Sequence, residues 1–179
     1  RFVQPLLREE KVFLFGGGHV TQALVPVLAG IGFRCIVVDD RPDFVKPELF
    51  KDAEETHLLP LDGWQDALAV SDRDFLCIMT RGHRKDLSCL ELALNTPAAY
   101  IGLMGSKRKI ACTNEALRQK GFTEADIARI STPVGLPIGA QTPAEIAISI
   151  AAQMIMVRAG MGDQIHFYGR TLRTLDHFE

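Results

Sequence analysis

The stretch that most constrains the fold is Val12-Phe13-Leu14-Phe15, followed at once by Gly16-Gly17-Gly18-His19-Val20-Thr21-Gln22. Four consecutive apolar residues fit a strand covered by helices on both faces of a parallel sheet, where inside–outside alternation is lost. The glycines then allow a tight turn, with free backbone amides at the start of the next helix where an anion can sit. The pattern G-x-G-x-x-G is met at Gly16 and Gly18, but Thr21 stands at its third position, where a side chain is expected to hold the helix slightly off the strand. About twenty residues on, the apolar run Cys35-Ile36-Val37-Val38 ends in Asp39, where a ribose-binding carboxylate would stand. Three glycines alone often only relieve crowding between strand and helix. The strand before, the helix after and Asp39 favour a mononucleotide-type site instead.

The remaining pattern alternates strands with helices. A helix is predicted over His19–Ala29, bent at Pro26, and a second strand over Arg34–Asp39. Thr56–Leu59 is the third strand, Gly63–Val70 a short helix, and Phe75–Met79 a fourth, fully apolar strand. A helix over Lys85–Leu94 leads to strand five at Ala99–Leu103, and the turn Met104-Gly105-Ser106 opens a helix reaching Gln119. Thr123 starts a short helix, strand six falls within Arg129–Thr132, and Pro133–Gly139 is an irregular loop. Thr142-Pro143-Ala144-Glu145 is a capping box with Pro at the first helical position, and its helix runs to Arg158. Apolar residues surround that last helix except for the stripe Glu145, Ser149 and Gln153. Such a helix is buried, either against its own sheet or, the preferred reading, at a subunit or domain interface, so a homodimer is expected.

Short connections between alternating elements imply an α/β fold with a doubly wound, mostly parallel sheet. The expected division is a lead-in over 1–11, the domain over 12–160 and an extension over 161–179. At 179 residues one such domain buries about two thirds of its unfolded surface. Twenty basic against twenty-two acidic residues leave a net charge of −2, which speaks for neither nucleic acid nor an acidic membrane as partner. Any anion must be met locally. Cys35, Cys77, Cys89 and Cys112 form no C-x-x-C pair and read as reduced core thiols, which fits a cytoplasmic protein. No apolar run reaches membrane-spanning length, and no His/Cys/Asp group has metal-ligand spacing. A start at Arg1 rather than Met points to a fragment boundary with more chain upstream.

Ligands of such sheets bind beyond the carboxyl ends of the strands. That rim is expected to gather Gly16, Gly17, Gly18, His19 and Val20; Asp39, Asp40 and Arg41; Thr80 to Arg84; Gly105, Ser106, Lys107, Arg108 and Lys109; with Pro133–Gly139 as a further candidate. Lys107, Arg108 and Lys109 occupy a first helical turn, where cations oppose the macrodipole at about 0.3–1 kcal/mol each. A bound phosphate would reverse that penalty, although three solvated side chains turned to water would also account for them. His19 and His83 are the rim's groups expected to titrate near neutrality, yet each is better suited to donate a hydrogen bond than to catalyse. Ser106 lacks a G-x-S-x-G elbow and is expected to cap its helix. Asp39 favours a ribose diol over a 2′-phosphate, although Arg41 could accept the latter. No catalytic residue is assigned.

Phe15–Leu24, Val37–Phe44, Tyr100–Lys109, Pro133–Ala140 and Thr142–Ser149 together resemble the Rossmann domain of the xanthine dehydrogenase accessory proteins, the XdhC/CoxI family. The resemblance covers Val12–Ala159, and the last two segments are far more specific than the glycine turn. It implies a Rossmann-like nucleotide-binding topology and a maturation factor rather than an enzyme. Such a factor binds molybdenum cofactor (molybdopterin), protects it while a cysteine desulfurase supplies sulfur, and passes it to a molybdenum hydroxylase such as xanthine dehydrogenase. The family commonly carries a further N-terminal domain with its own cysteine, and Thr80-Arg81-Gly82-His83 departs from its usual Thr-His. The fold alone leaves two other readings open, an NAD(P)-dependent oxidoreductase and a nucleotide-sensing module.

Overall fold

The computed structural model describes residues 10–162. Six parallel strands form one sheet: β1 (Lys11–Phe15), β2 (Arg34–Asp39), β3 (Glu55–Leu58), β4 (Phe75–Ile78), β5 (Tyr100–Leu103) and β6 (Ile130–Ser131), in the order β3-β2-β1-β4-β5-β6. The chain winds outward from β1 in one direction and from β4 in the other, so the topological switch lies between these two strands. Helices α1 (His19–Gly30) and α5 (Pro143–Arg158) cover one face. Helices α2 (His83–Leu94) and α3 (Lys107–Gln119), with the short α4 (Glu124–Ala128), cover the other.

Burial on both faces explains the runs that lack alternation. Phe13 and Phe15 point toward Trp64, Leu90 and Leu117, while Val12 and Leu14 point toward Leu24, Leu28 and Met154. Every residue of β4 is buried, as its apolar sequence requires. Pro26 lies within α1 and is exposed, so it costs one helix hydrogen bond without disturbing the face packed on the sheet.

One expectation is corrected. No α-helix forms over Gly63–Val70; the segment makes a single 3₁₀ turn at Trp64–Asp66. Its purpose is to drop the fully buried Trp64 onto Phe15, ring centroids 4.8 Å apart, and a segment anchored by Leu61, Trp64 and Leu68 in one cluster need not be regular. Of the polar stripe of α5, Glu145 is exposed at the helix start, whereas Ser149 and Gln153 face inward. Ser149 Oγ donates to the Leu136 carbonyl at 2.7 Å, and Gln153 Oε1 accepts from Tyr100 Oη at 2.5 Å and from the Gly135 amide at 2.8 Å. These bonds fasten the loop 133–139 to α5. The large apolar residues of α5 left outside are Ile148, 55 % exposed, and Ile155, 42 % exposed.

Thr142 and Glu145 form the expected capping box. Of the lead-in, residues 1–9 lie outside the described residues and Lys11 already belongs to β1; of the extension, residues 163–179 lie outside them. Among the described residues no helix is long and apolar enough to cross a membrane.

Candidate functional site

Because all strands are parallel, their carboxyl ends share one edge, and the glycine turn after β1 stands on the same rim as the Gly105–Ser106 turn after β5. Strand β4 lies between them, which sets the two turns about 10 Å apart at the usual strand spacing. Each glycine of the first turn has a different reason. Gly16 has φ +106°, and a Cβ there would stand 2.5 Å from the Met79 carbonyl oxygen of the neighbouring β4 loop. A Cβ at Gly17 would stand 1.8 Å from the Phe44 carbonyl oxygen. A Cβ at Gly18 would meet nothing within 4 Å, so the space over Gly18 is open.

Gly18 is the N-cap of α1 and no side chain caps this helix, so its first-turn amides, from His19 and Val20 onward, face that opening. Thr21, where a third glycine was the norm, does not merely prop the helix away. Its buried hydroxyl donates to the Gly16 carbonyl, and Gln22 Nε2 donates to the Gly17 carbonyl at 3.0 Å. Both side chains turn carbonyl oxygens of the loop toward the protein, which leaves the anion side to N–H groups.

Asp39 is placed at the end of β2 as expected, but its carboxylate is already filled. Oδ2 accepts from the Gly17 amide at 2.8 Å and from an Arg41 terminal nitrogen at 2.8 Å; Oδ1 accepts from the Arg41 amide at 3.0 Å and Arg41 Nε at 2.9 Å. Arg41 in turn lies 3.6 Å from the centroid of the Phe44 ring. Burial pushes the Asp39 carboxyl up, but the Arg41 hydrogen bond and charge and the Gly17 amide outweigh it and hold it below the ordinary value. Asp39 also raises Arg41, chiefly through their hydrogen bond. Asp40 forms an ion pair with Lys85 across from it.

Beyond β4, Thr80 is buried and donates to Asp86 Oδ1, while Asp86 Oδ2 pairs with the Lys109 ammonium. Thr113 gives its hydroxyl proton to the Lys109 carbonyl at 2.9 Å, so its oxygen accepts from His83 Nδ1–H at 3.2 Å. Lys109 and His83 are thus committed to packing α2 against α3, whereas Arg81, Arg84, Lys107 and Arg108 are exposed and have no carboxylate partner among the described residues. His19 is exposed at the first position of α1. Ser106 Oγ accepts from the Lys109 amide at 3.3 Å, the capping task expected of it. The loop 133–139 joins the rim through Val134, whose amide donates to the Leu103 carbonyl at 3.1 Å.

A cleft of about 90 Å³ opens between the β2 and β4 ends, lined by Asp39, Asp40, Arg41, Leu61, Thr80, Arg81 and Lys85. Among the described residues no three His, Cys, Asp or Glu side chains gather as metal ligands would. Of the four cysteines, Cys35, Cys77 and Cys89 are buried, and burial pushes the thiols of Cys35 and Cys77 up to about 12. Cys112, read from sequence as a core thiol, is instead exposed on α3. Sequence reasoning also passed over Phe44 and Asp86. The signals were present: Phe44 follows Arg41 by three residues, and Asp86 is the acidic residue in the first turn of α2.

Residues 12–154 match the model of the XdhC Rossmann domain. The chain is 36 % identical over 151 residues to the uncharacterized protein YqeB of Escherichia coli, covering 83 % of this chain and 27 % of that one. It is 29 % identical over 157 residues to a probable xanthine dehydrogenase component of Bacillus subtilis, covering 88 % and 46 %. A crystal structure named as a xanthine dehydrogenase from Bacillus halodurans superposes with a TM-score of 0.75 at 33 % identity, covering 85 % of this chain and 43 % of the other. The chain therefore spans less than half the length of each of these relatives. With the strand order, the glycine turn and this match in agreement, the chain belongs to the XdhC family and carries its Rossmann domain.

Proposed function

We propose that this domain binds a phosphate-bearing cofactor, molybdenum cofactor (molybdopterin), and holds it for delivery to a molybdenum hydroxylase such as xanthine dehydrogenase. The observation that carries the reading is the uncapped start of α1, which opens onto clear space above Gly18. Arg81, Lys107 and Arg108 stand on the same rim without carboxylate partners among the described residues. Helix-start amides and unpaired cations fit a phosphate group. The turn of Gly16 and Gly17 would shape the site, the amides of Gly18, His19 and Val20 would hold the phosphate on one side, and Gly105, Ser106, Lys107 and Arg108 would hold it on the other. Sulfur would be supplied by a cysteine desulfurase acting in the cytoplasm. The exposed Ile148 and Ile155 on α5 supply the face through which a homodimer would form.

Gly18→Ala is the sharpest test, because the added methyl enters empty space at a φ of −70° and intrudes only on a ligand. The expected result is a folded protein whose calorimetric affinity for molybdopterin drops about tenfold or more, the equivalent of one lost charge-assisted hydrogen bond. Purified protein should carry a pterin absorbance and activate a cofactor-free hydroxylase. Co-purified NAD(H) with hydride transfer would replace this reading with an oxidoreductase, and unchanged affinity in both Gly18→Ala and Lys107→Glu would end it.

A further inference from the structure

From the state of Asp39 and the charges around it, the geometry points to the cleft beyond β2 and β4 as a subsite for a phosphate monoester, recognised by Arg41 and Arg81, and not for a sugar diol. The inference rests on the reading of the rim as a cofactor site and adds a second anionic contact to it, separate from the amides of α1.

A diol is held when its two hydroxyls donate to a carboxylate with lone pairs to spare. Asp39 has none: four donors at 2.8–3.0 Å occupy both oxygens. Its side chain is 2 % exposed, so no ligand reaches it without first removing Arg41. The same bonds fix Arg41. Nε and one terminal nitrogen are engaged with Asp39 and the guanidinium face lies on Phe44, which leaves the outer N–H groups aimed in a set direction on a side chain 30 % exposed. A planar fork pre-set in this way loses little entropy when it takes a phosphate oxygen. The charge count runs the same way. Arg41 answers Asp39 and Lys85 answers Asp40, so of the charged residues lining the cleft Arg81 is the one left over. At about 90 Å³ the space takes one substituent of a ligand and not a whole nucleoside, since pockets that enclose a ligand of that size run from about 300 Å³ upward. Asp40 is the feature that opposes an anion: one of its oxygens is enclosed without a hydrogen-bond partner, and a ligand hydroxyl could seek it.

The test compares adenosine 2′,5′-bisphosphate with 5′-AMP, which differ by one phosphate monoester, using isothermal titration calorimetry on the whole chain. A ³¹P titration with inorganic phosphate shows whether the anion needs a nucleoside to carry it. The bisphosphate is expected to bind about tenfold tighter or more, from a charge-assisted contact to each arginine. Arg81→Ala, which removes an exposed side chain with no partner to strand among the described residues, should bring the two affinities together. Asp40→Asn should widen the gap by removing the opposing charge. Binding of inorganic phosphate alone, if lost in Arg81→Ala, supports the subsite with a free anion as its source. Equal affinities in the wild type, a gap that survives Arg81→Ala, or no binding of any of the three probes overturns the inference. A gap that responds to Arg81 but not to Gly18→Ala keeps the subsite and removes the glycine turn from the ligand, so the two readings fail separately.

Discussion

The rim buries two carboxylates, Asp39 at the end of β2 and Asp86 in the first turn of α2, and each secures one basic side chain, Arg41 or Lys109. The resemblance ends at the backbone. Asp39 takes two main-chain amides as well as a guanidinium, so it binds the glycine turn, the β2 end and Arg41 into one piece. Asp86 takes a threonine hydroxyl and a lysine ammonium, both on side chains, and leaves the amides of α3 to Ser106. One half of the rim is therefore fixed through its backbone before any ligand arrives, while the other half is held by side chains and still carries Arg81, Arg84, Lys107 and Arg108, which have no carboxylate partner among the described residues. A rigid amide cradle facing adjustable cations can keep one end of a ligand in register while the other end exchanges.

The largest expected effect comes from breaking the fixed half at its tightest point. Gly17→Ala would set a methyl 1.8 Å from the Phe44 carbonyl oxygen, so the turn must leave Asp39; a loss of about 4 kcal/mol or more in urea unfolding is expected, against less than about 0.5 kcal/mol for Gly18→Ala next to it. Next is the pair Asp39→Ala and Asp86→Ala. Removing one partner of a buried ion pair costs about 3–5 kcal/mol, and Asp39→Ala should approach the lower figure because Arg41 is 30 % exposed and can turn to water. Asp86→Ala should cost less, since Lys109 reaches solvent on its own and no main-chain amide is stranded. If the two variants unfold at the same urea concentration, the backbone contacts of Asp39 contribute nothing special and the contrast between the halves is lost.

Much of this architecture was legible because it follows from burial alone. The apolar runs at Val12–Phe15 and Phe75–Ile78 cannot be half-exposed, and the Thr142 and Thr123 capping boxes fix helix starts through local hydrogen bonds. The site was legible as a set of chain positions, since parallel strands deliver all their carboxyl ends to one edge. What the sequence could not show was pairing. Asp39, Arg41 and Phe44 are close in sequence, but whether the aspartate serves a ligand or the arginine depends on where Gly17 lies. Asp86 and Lys109 sit on different helices, and nothing local announces their contact. The partners of Ser149 and Gln153 were hidden for a related reason: they lie in the 133–139 loop, a segment whose path has no periodicity to read.

Acid probes the fixed half through Asp39. The folded Asp39 carboxyl sits below its unfolded value, so it adds stability that is complete above the unfolded carboxylate range, about 3.9, and that drains away as pH falls through the lower folded value. Wild-type unfolding midpoints followed from pH 6 to pH 2 should therefore drop more steeply than those of Asp39→Asn. Parallel curves would mean that the Arg41 latch does not answer to the charge on Asp39.

The smallest effect carries the sign that best distinguishes a binding rim from a decorative one. Lys107 stands at the first position of α3, where a cation opposes the helix dipole, so Lys107→Glu should make the free protein slightly more stable, raising Tm by about 1–3 °C. The same change puts a negative charge beside the expected phosphate and should weaken its binding. Opposite movements of Tm and affinity are what a side chain retained for a ligand produces. A fall in both would identify Lys107 as part of the fold, and a rise in Tm with unchanged affinity would take α3 out of the site and leave the amides of α1 to hold the anion without it.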